Sequence, residues 1–204
     1  MNTSLSPFSS SYMRRPRLTG DAMITVAVTH HYLLPFIPAE PCLCLDIDAG
    51  TGLDAANLVE LGHSVVAVDT MKSLKLVTDN IKGLTWIDDK FPALNNVKAL
   101  GKKFNIILTT YATKAECEGK EVSPVDYLDK AATSLKELLA RDGKIGLKLK
   151  MEPSAGGVFA TTLEELVHSL DMHGLTVLDL SPAYVRVTTK PDSVWVYVVV
   201  GHAD

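Results

Sequence analysis

Long apolar runs are missing from this 204-residue sequence. The best it offers are strand-length stretches such as Leu43–Leu45 and Val194–Val200, far short of the roughly 18 uninterrupted apolar residues that suggest a membrane span, so no membrane role is expected. Cysteine is scarce too. Cys42, Cys44 and Cys117 are too few for a disulfide framework, and Cys42-x-Cys44 lacks the spacing of a zinc pair; both read as parts of a buried strand, and no metal is expected. A basic excess is also absent. The formal net charge of −4 and a pI near 5.9 argue against a general nucleic-acid binder, which needs surplus Lys and Arg to displace counterions from phosphates. With neither an apolar signal core nor an internal repeat, cytoplasmic residence is the expectation by elimination.

The first twenty residues hold five serines together with Arg14, Arg15 and Arg17, and no acid precedes Asp21. That composition overlaps with organelle transit peptides and equally suits a flexible or docking tail. Ala22–Leu34 then mixes apolar residues with His30 and His31, and Pro35, Pro38 and Pro41 forbid a continuous helix up to Cys42. Residues 1–41 therefore read as an N-terminal tail with a lid helix. Residues 42–204 read as one domain, because this length with 47% hydrophobic residues buries a full core.

From Cys42 the pattern becomes regular: a short apolar run, a Gly-containing turn, a helical stretch, then another apolar run. That alternation signals βαβ units. Strands are expected at Cys42–Ile47, Ser64–Val68, Leu84–Ile87, Phe104–Leu108, Lys144–Leu149 and Leu175–Leu180. Helices are expected over about Asp54–Leu61, through Met71, Leu74, Leu76 and Val77, from Pro124 through Leu139 with Gly143 just after it, and from the capping box at Thr162–Glu165 to about His173. The final run, Val194–Val200, follows the sixth strand too closely for an ordinary helical crossover and should pair antiparallel. The expected fold is thus α/β, a Rossmann-like doubly wound sheet of seven strands, mostly parallel with an antiparallel last strand.

In an open parallel sheet the ligand lies beyond the carboxyl ends of the strands where strand order reverses, which singles out four loops. The first is Asp46-Ile47-Asp48-Ala49-Gly50-Thr51-Gly52, whose Gly50 and Gly52 let a backbone approach a ligand closely at a helix N-terminus. The second is Asp69-Thr70, where Asp69 stands 17 residues beyond Gly52. A carboxylate there can accept both hydroxyls of a ribose, as in the dinucleotide fingerprint. It also suits the cap of the following helix. Third comes Asp88-Asp89, placed either to accept from an adenine amino group or to form a solvated turn. The fourth is Thr109-Thr110-Tyr111, facing the reactive end of the cleft. Lys148 and Lys150 alternate with Leu147, Leu149 and Met151, which sets them on one face near the cleft or exposes them at the strand end.

These residues resemble those of a known family, the class I S-adenosylmethionine-dependent methyltransferases. The resemblance runs from about Cys42 to Val200, carried by LDIDAGTGLDAANLVELGHSVVAVD (45–69), WIDDKFPAL (86–94), KKFNIILTT (102–110) and SLKELLARDGKIGLKL (134–149). It implies S-adenosyl-L-methionine as cofactor. Asp46 and the Ala49–Gly52 backbone would hold its methionine end, Asp69 its ribose and Asp88 or Asp89 its adenine. One departure stands out: Asp48 replaces the first glycine of the family's Gly-x-Gly-x-Gly. Its carboxylate either repels the cofactor's carboxylate or attracts its ammonium and sulfonium, and either effect at about 4 Å is worth roughly 4 kcal/mol at an effective dielectric near 20.

The implied reaction is in-line transfer of a methyl group, with the protein aligning nucleophile, methyl and sulfur away from water. A general base is needed only for an acceptor that carries a proton. His30, His31, Tyr111 and Glu116 are candidates that spacing does not separate, with His31 and Tyr111 carried forward. A small-molecule acceptor is expected, since there is neither an added domain nor a basic surface signature. The valine-rich last strand offers a homodimer contact. Two other readings stay open: a catalytically silent cofactor-binding or interaction module, and an NAD-dependent oxidoreductase. Against the oxidoreductase, Ala55 stands where Gly-x-Gly-x-x-Gly has its third glycine.

Overall fold

The structure, a computed structural model, describes residues 33–70, 81–112, 116–117, 120–121, 124–151, 163–180, 184–185 and 194–203. Its strands are β1 (Leu43–Ile47), β2 (Ser64–Val68), β3 (Leu84–Ile87), β4 (Phe104–Ala112), β5 (Glu116–Cys117), β6 (Lys120–Glu121), β7 (Leu139–Met151), β8 (Leu175–Leu180), β9 (Tyr184–Val185) and β10 (Val194–His202). The helices are α1 (Leu53–Glu60), α2 (Asn95–Lys98), α3 (Pro124–Leu138) and α4 (Leu163–Met172), preceded by a 3-10 turn over Leu34–Phe36. The expected helix through Met71–Val77, the Thr162 cap and most of the Ala22–Leu34 lid fall outside the described residues.

The main sheet runs in the order β3-β2-β1-β4-β7-β10-β8, with β9 paired to β10 and a separate β5-β6 hairpin. Neighbours from β3 to β7 are parallel, whereas β10 is antiparallel to both β7 and β8. The anticipated antiparallel last strand is therefore present, inserted between β7 and β8. Strand order reverses between β1 and β4, since the chain leaves β1 toward β2 and β3 and then returns to the other side.

Two apolar clusters cover the two faces. One joins Leu45, Ile47, Ile145 and Leu147 of the sheet to Ala132, Leu135 and Leu138 of α3 and Leu166 and Leu170 of α4. The other joins Cys44, Ile106, Leu108, Tyr197 and Val199 to Ala55 and Leu58 of α1 and to Leu33. Side chains alternate across a strand, so Asp46 and Lys148 fall on the α1 face along with Cys44 and Gly146. Leu33 is 2% exposed and lies so close over β7 that a Cβ on Gly146 would meet its Cδ2 at 2.5 Å.

Two strand limits depart furthest from the sequence pattern. β7 begins at Leu139, directly after α3, and not at Lys144; Gly143 sits within the strand and not as a helix stop. A Cβ there would come within 2.9 Å of the Phe104 carbonyl oxygen and 3.0 Å of that of Ala140. Bare backbone is needed where the β4–β7 register shifts between Phe104 and Ile106. β4 in turn continues past Leu108 to Ala112, because Thr109 and Thr110 are β-branched residues that favour extended backbone as readily as the leucine before them.

Gly146→Ala should cost about 1–3 kcal/mol by overpacking, and Leu33→Ala about 2–4 kcal/mol by leaving a cavity. Urea denaturation of the double variant should show a loss smaller than the sum by more than about 0.5 kcal/mol, since the new methyl fills part of the vacated space. Strictly additive losses would mean that the two positions do not meet.

Candidate functional site

After Ile47 the chain reverses through a turn with three left-handed positions, Asp48 (φ 55), Gly50 (φ 56) and Gly52 (φ 77). Glycine adopts that region freely, and Asp is among the few other residues that tolerate it, so Asp48 keeps the backbone shape a glycine would take. Hydrogen bonds pin the turn to the sheet. Ala49 N–H donates to the Val68 carbonyl at 3.0 Å, Gly52 N–H to the Ala49 carbonyl at 2.8 Å and Ala56 N–H to the Gly52 carbonyl at 2.8 Å. Gly50 N–H donates to Asp69 Oδ2 at 2.8 Å, which ties the turn after β1 to the end of β2. A methyl added at Gly50 would meet nothing within 4 Å. An open, side-chain-free peptide surface thus lies at the point where strand order reverses, the standard location for a ligand in such sheets.

Carboxylates crowd around this turn. Asp46 is only 5% exposed, and its Oδ2 is shut off from solvent without a hydrogen-bond partner. Burial first, and the charge of Asp54 second, hold its carboxyl well above the usual range, against the pull of a hydrogen bond from the Ala55 backbone. Asp54, in the first turn of α1, is half-buried as a residue, but its Oδ1 is shut off from solvent and unpartnered. Burial pushes its carboxyl up to about 6, opposed by the Lys148 ammonium. Asp48 sits at the rim. Water reaches the residue, yet the surrounding protein removes enough solvent, and Asp69 adds enough repulsion, to push its carboxyl up to about 6.

The structure therefore brings together Asp46, Asp48, Ala49, Gly50, Thr51, Gly52 and Asp69, with Thr70 exposed beside them. Other expected residues go elsewhere. Asp89 accepts from the backbone N–H groups of Lys90 (2.8 Å), Asn96 (2.7 Å) and Val97 (3.0 Å), so its carboxylate organises the short α2. Asp88 lies exposed at the end of β3. Thr109 is 4% exposed and lines a small cavity of about 10 Å³ with Phe91, Ala132, Leu135, Leu147 and Ser169. That cavity lies on the α3–α4 face, across the sheet from Asp46. Tyr111 pairs with Leu149 along the extended β4, Glu116 belongs to the β5-β6 hairpin, and His30 and His31 lie outside the described residues.

Two residues that sequence reasoning undervalued complete the group. Lys148 is 5% exposed, not displayed at the strand end, and its charge acts on Asp54. A lysine set between Leu147 and Leu149 was the available signal for an internal counter-charge; Asp54, an ordinary first-turn acid in a helix, gave none.

No sequence-family model and no curated protein matches this chain. Solved structures do. The CcbJ methyltransferase from Streptomyces caelestis is 14% identical, with 92% of this chain and 94% of that one aligned at a TM-score of 0.64. The ribosomal protein L11 methylase from Lactobacillus delbrueckii subsp. bulgaricus is 13% identical, with 88% and 80% aligned at 0.60. The 1,6-didemethyltoxoflavin-N1-methyltransferase of Burkholderia thailandensis, solved with 1,6-didemethyltoxoflavin and S-adenosylhomocysteine, is 19% identical, with 91% and 79% aligned at 0.57. The chain has the class I methyltransferase fold. Within that fold, the β1 turn, the end of β2 and the end of β3 lie along the same carboxyl edge of the sheet.

Because the folded-state pKa of Asp48 near 6 exceeds the unperturbed 3.8, the folded chain holds this proton more tightly than the unfolded chain. Its stabilising contribution is full below about pH 4 and is lost as pH rises through 6. Asp48→Asn, which keeps a residue tolerant of positive φ, should flatten that part of the stability profile between pH 4 and 6.5 by up to about 1 kcal/mol, discounted for solvent screening. Superimposable profiles for variant and parent would refute it.

Proposed function

We propose that this protein is an S-adenosylmethionine-dependent methyltransferase acting on a small-molecule acceptor, with its cofactor held over the Asp48–Gly52 turn. The observation that carries the reading is the open peptide surface at Gly50, fixed by Asp69 in a class I methyltransferase fold. The residues present suit the cofactor's chemistry. Asp46 Oδ2 is a buried acceptor with no partner among the described residues, matched to an ammonium donor. Asp69, at the end of β2, suits ribose hydroxyls, and Asp88, exposed just after β3, suits an adenine amino group. When bound, the cofactor supplies a methyl group on a positively charged sulfur.

The protein's own share is alignment and electrostatics. Asp46, Asp48 and Asp69 make the turn a negative environment, which favours a sulfonium over the neutral thioether left after transfer. Asp48 then contributes attraction, and its left-handed backbone preserves the turn. Where the acceptor carries a proton, Tyr111 and His31 are the candidate bases. A net charge of −4 supports a small acceptor over a polyanionic one.

A second reading, a catalytically silent cofactor-binding or interaction module, is favoured by one observation: the amides of Ala49, Gly50 and Gly52 are already bonded within the protein, leaving fewer donors for the cofactor's carboxylate. The oxidoreductase reading is weaker, because Ala55 is 0% exposed against the sheet where a third glycine would be needed and β10 is antiparallel.

Native mass spectrometry of the full chain should reveal co-purified S-adenosylmethionine or its demethylated product, and calorimetry should detect binding of both. Failure of either to bind would overturn the reading, and binding with no transfer to any of a panel of small N-, O- and S-nucleophiles would favour the silent module. The preference for S-adenosylmethionine over the product should rise about fivefold from pH 5 to pH 7, as Asp48 ionises near 6; that ratio corresponds to about 1 kcal/mol for the sulfonium charge. Asp46→Asn should weaken both ligands by about tenfold.

A further inference from the structure

At the opposite end of β1 and β2 from the turn, three ligand-type side chains meet. Cys42 precedes β1, Cys44 lies within it, and His63 directly precedes β2. Residues two apart on extended backbone share a face, which puts both thiols together: Cys42 Sγ and Cys44 Sγ are 3.8 Å apart. Parallel pairing of β1 with β2, in the register Leu43 to Ser64, brings His63 alongside. Its Nδ1 lies 3.3 Å from Cys42 Sγ and accepts the Cys42 backbone N–H at 3.2 Å. All three ligand atoms fall within 4.8 Å of one another. Around a tetrahedral zinc, with Zn–S about 2.3 Å and Zn–N about 2.0–2.1 Å, neighbouring ligand atoms stand roughly 3.5–3.8 Å apart.

We propose that Cys42, Cys44 and His63 form a binding site for a thiophilic divalent cation, zinc(II), with the fourth coordination position open to water. Charge favours a dication. Cys44 is 0% exposed and His63 3% exposed, so a site with net charge would be costly there; two thiolates neutralise zinc(II) but would leave copper(I) with a net negative charge. Access is from the side of Cys42, which is half-buried. Asn105 supports the arrangement from β4, its Oδ1 accepting the Leu43 N–H at 3.2 Å and so fixing the backbone between the two cysteines, the kind of outer contact that orients metal ligands. Loading requires His63 Nδ1 to release the Cys42 N–H and turn its lone pair to the metal. Burial holds both thiols above their ordinary range. A dication in contact supplies the opposing charge, so each thiol gives up its proton as the metal binds.

The test uses the reduced, chelator-stripped full chain carrying Cys117→Ser, which removes the third cysteine. Titration with cadmium(II) should raise an ultraviolet thiolate-to-metal band that saturates at one equivalent with release of two protons per chain, and zinc(II) should then displace it without further proton release. Cys42→Ser and His63→Gln should each weaken zinc(II) by more than about tenfold. Because buried variants can unfold, alkylation mapping of the parent chain gives an independent readout: zinc(II) should protect Cys42 from labelling. No band at one equivalent, affinity unchanged in both variants, or equal Cys42 labelling with and without zinc(II) would each overturn the proposal. Adenosyl-cofactor binding plays no part in these measurements, so their outcome is separable from the methyltransferase reading.

Discussion

One hydrogen bond, from Gly50 N–H to the Asp69 carboxylate, joins the turn after β1 to the end of β2, and the rest of the candidate site is arranged around it. The turn needs positive φ at three closely spaced residues, a costly conformation for most side chains, and at Gly50 it faces open space. A charge-assisted bond to a backbone amide is stronger than a neutral one. Asp69 therefore plays two parts: it sets the shape of the turn and adds to the negative field there.

That field is lopsided. Asp46, Asp54 and Lys148 lie on the α1 side of the sheet, whereas the small cavity on the α3–α4 side is lined by apolar side chains with Thr109 and Ser169. Charges shut away from water must be paired or neutralised; burial raises the carboxyls of Asp46, Asp48 and Asp54, and Lys148 opposes that rise at Asp54. A cationic ligand at the turn supplies what is missing, so ligand binding and proton binding compete for the same carboxylates.

Much of the fold was legible because hydrophobic periodicity and glycine placement are local signals. Ser64–Val68, Leu84–Ile87 and Leu175–Leu180 match their expected limits, and the antiparallel last strand followed from a connection too short for a crossover. The start of β7 was not legible, because Gly143 resembles a helix stop in sequence and reveals its role only against the Phe104 carbonyl of a distant strand. The same division holds at the site. Asp46, Gly50 and Asp69 belong to a contiguous pattern, while the burial of Lys148 and the local role of Asp89 depend on neighbours that spacing alone does not specify. Cys42 and Cys44 look inert by spacing, since their partner His63 arrives 21 residues later through strand register.

Packing of Leu33 over Gly146 carries a consequence for where this domain begins. Sequence pattern draws the boundary at Cys42, where the regular alternation starts, but a shortened chain opening there would strip Phe36 and Ile37 as well as Leu33 from the second apolar cluster. The centre of the sheet, at its crossing of β4, β7 and β10, would then face solvent on one side. Physically the domain starts upstream of its own repeating pattern, with Leu33 and the 3-10 turn that follows it roofing part of the sheet.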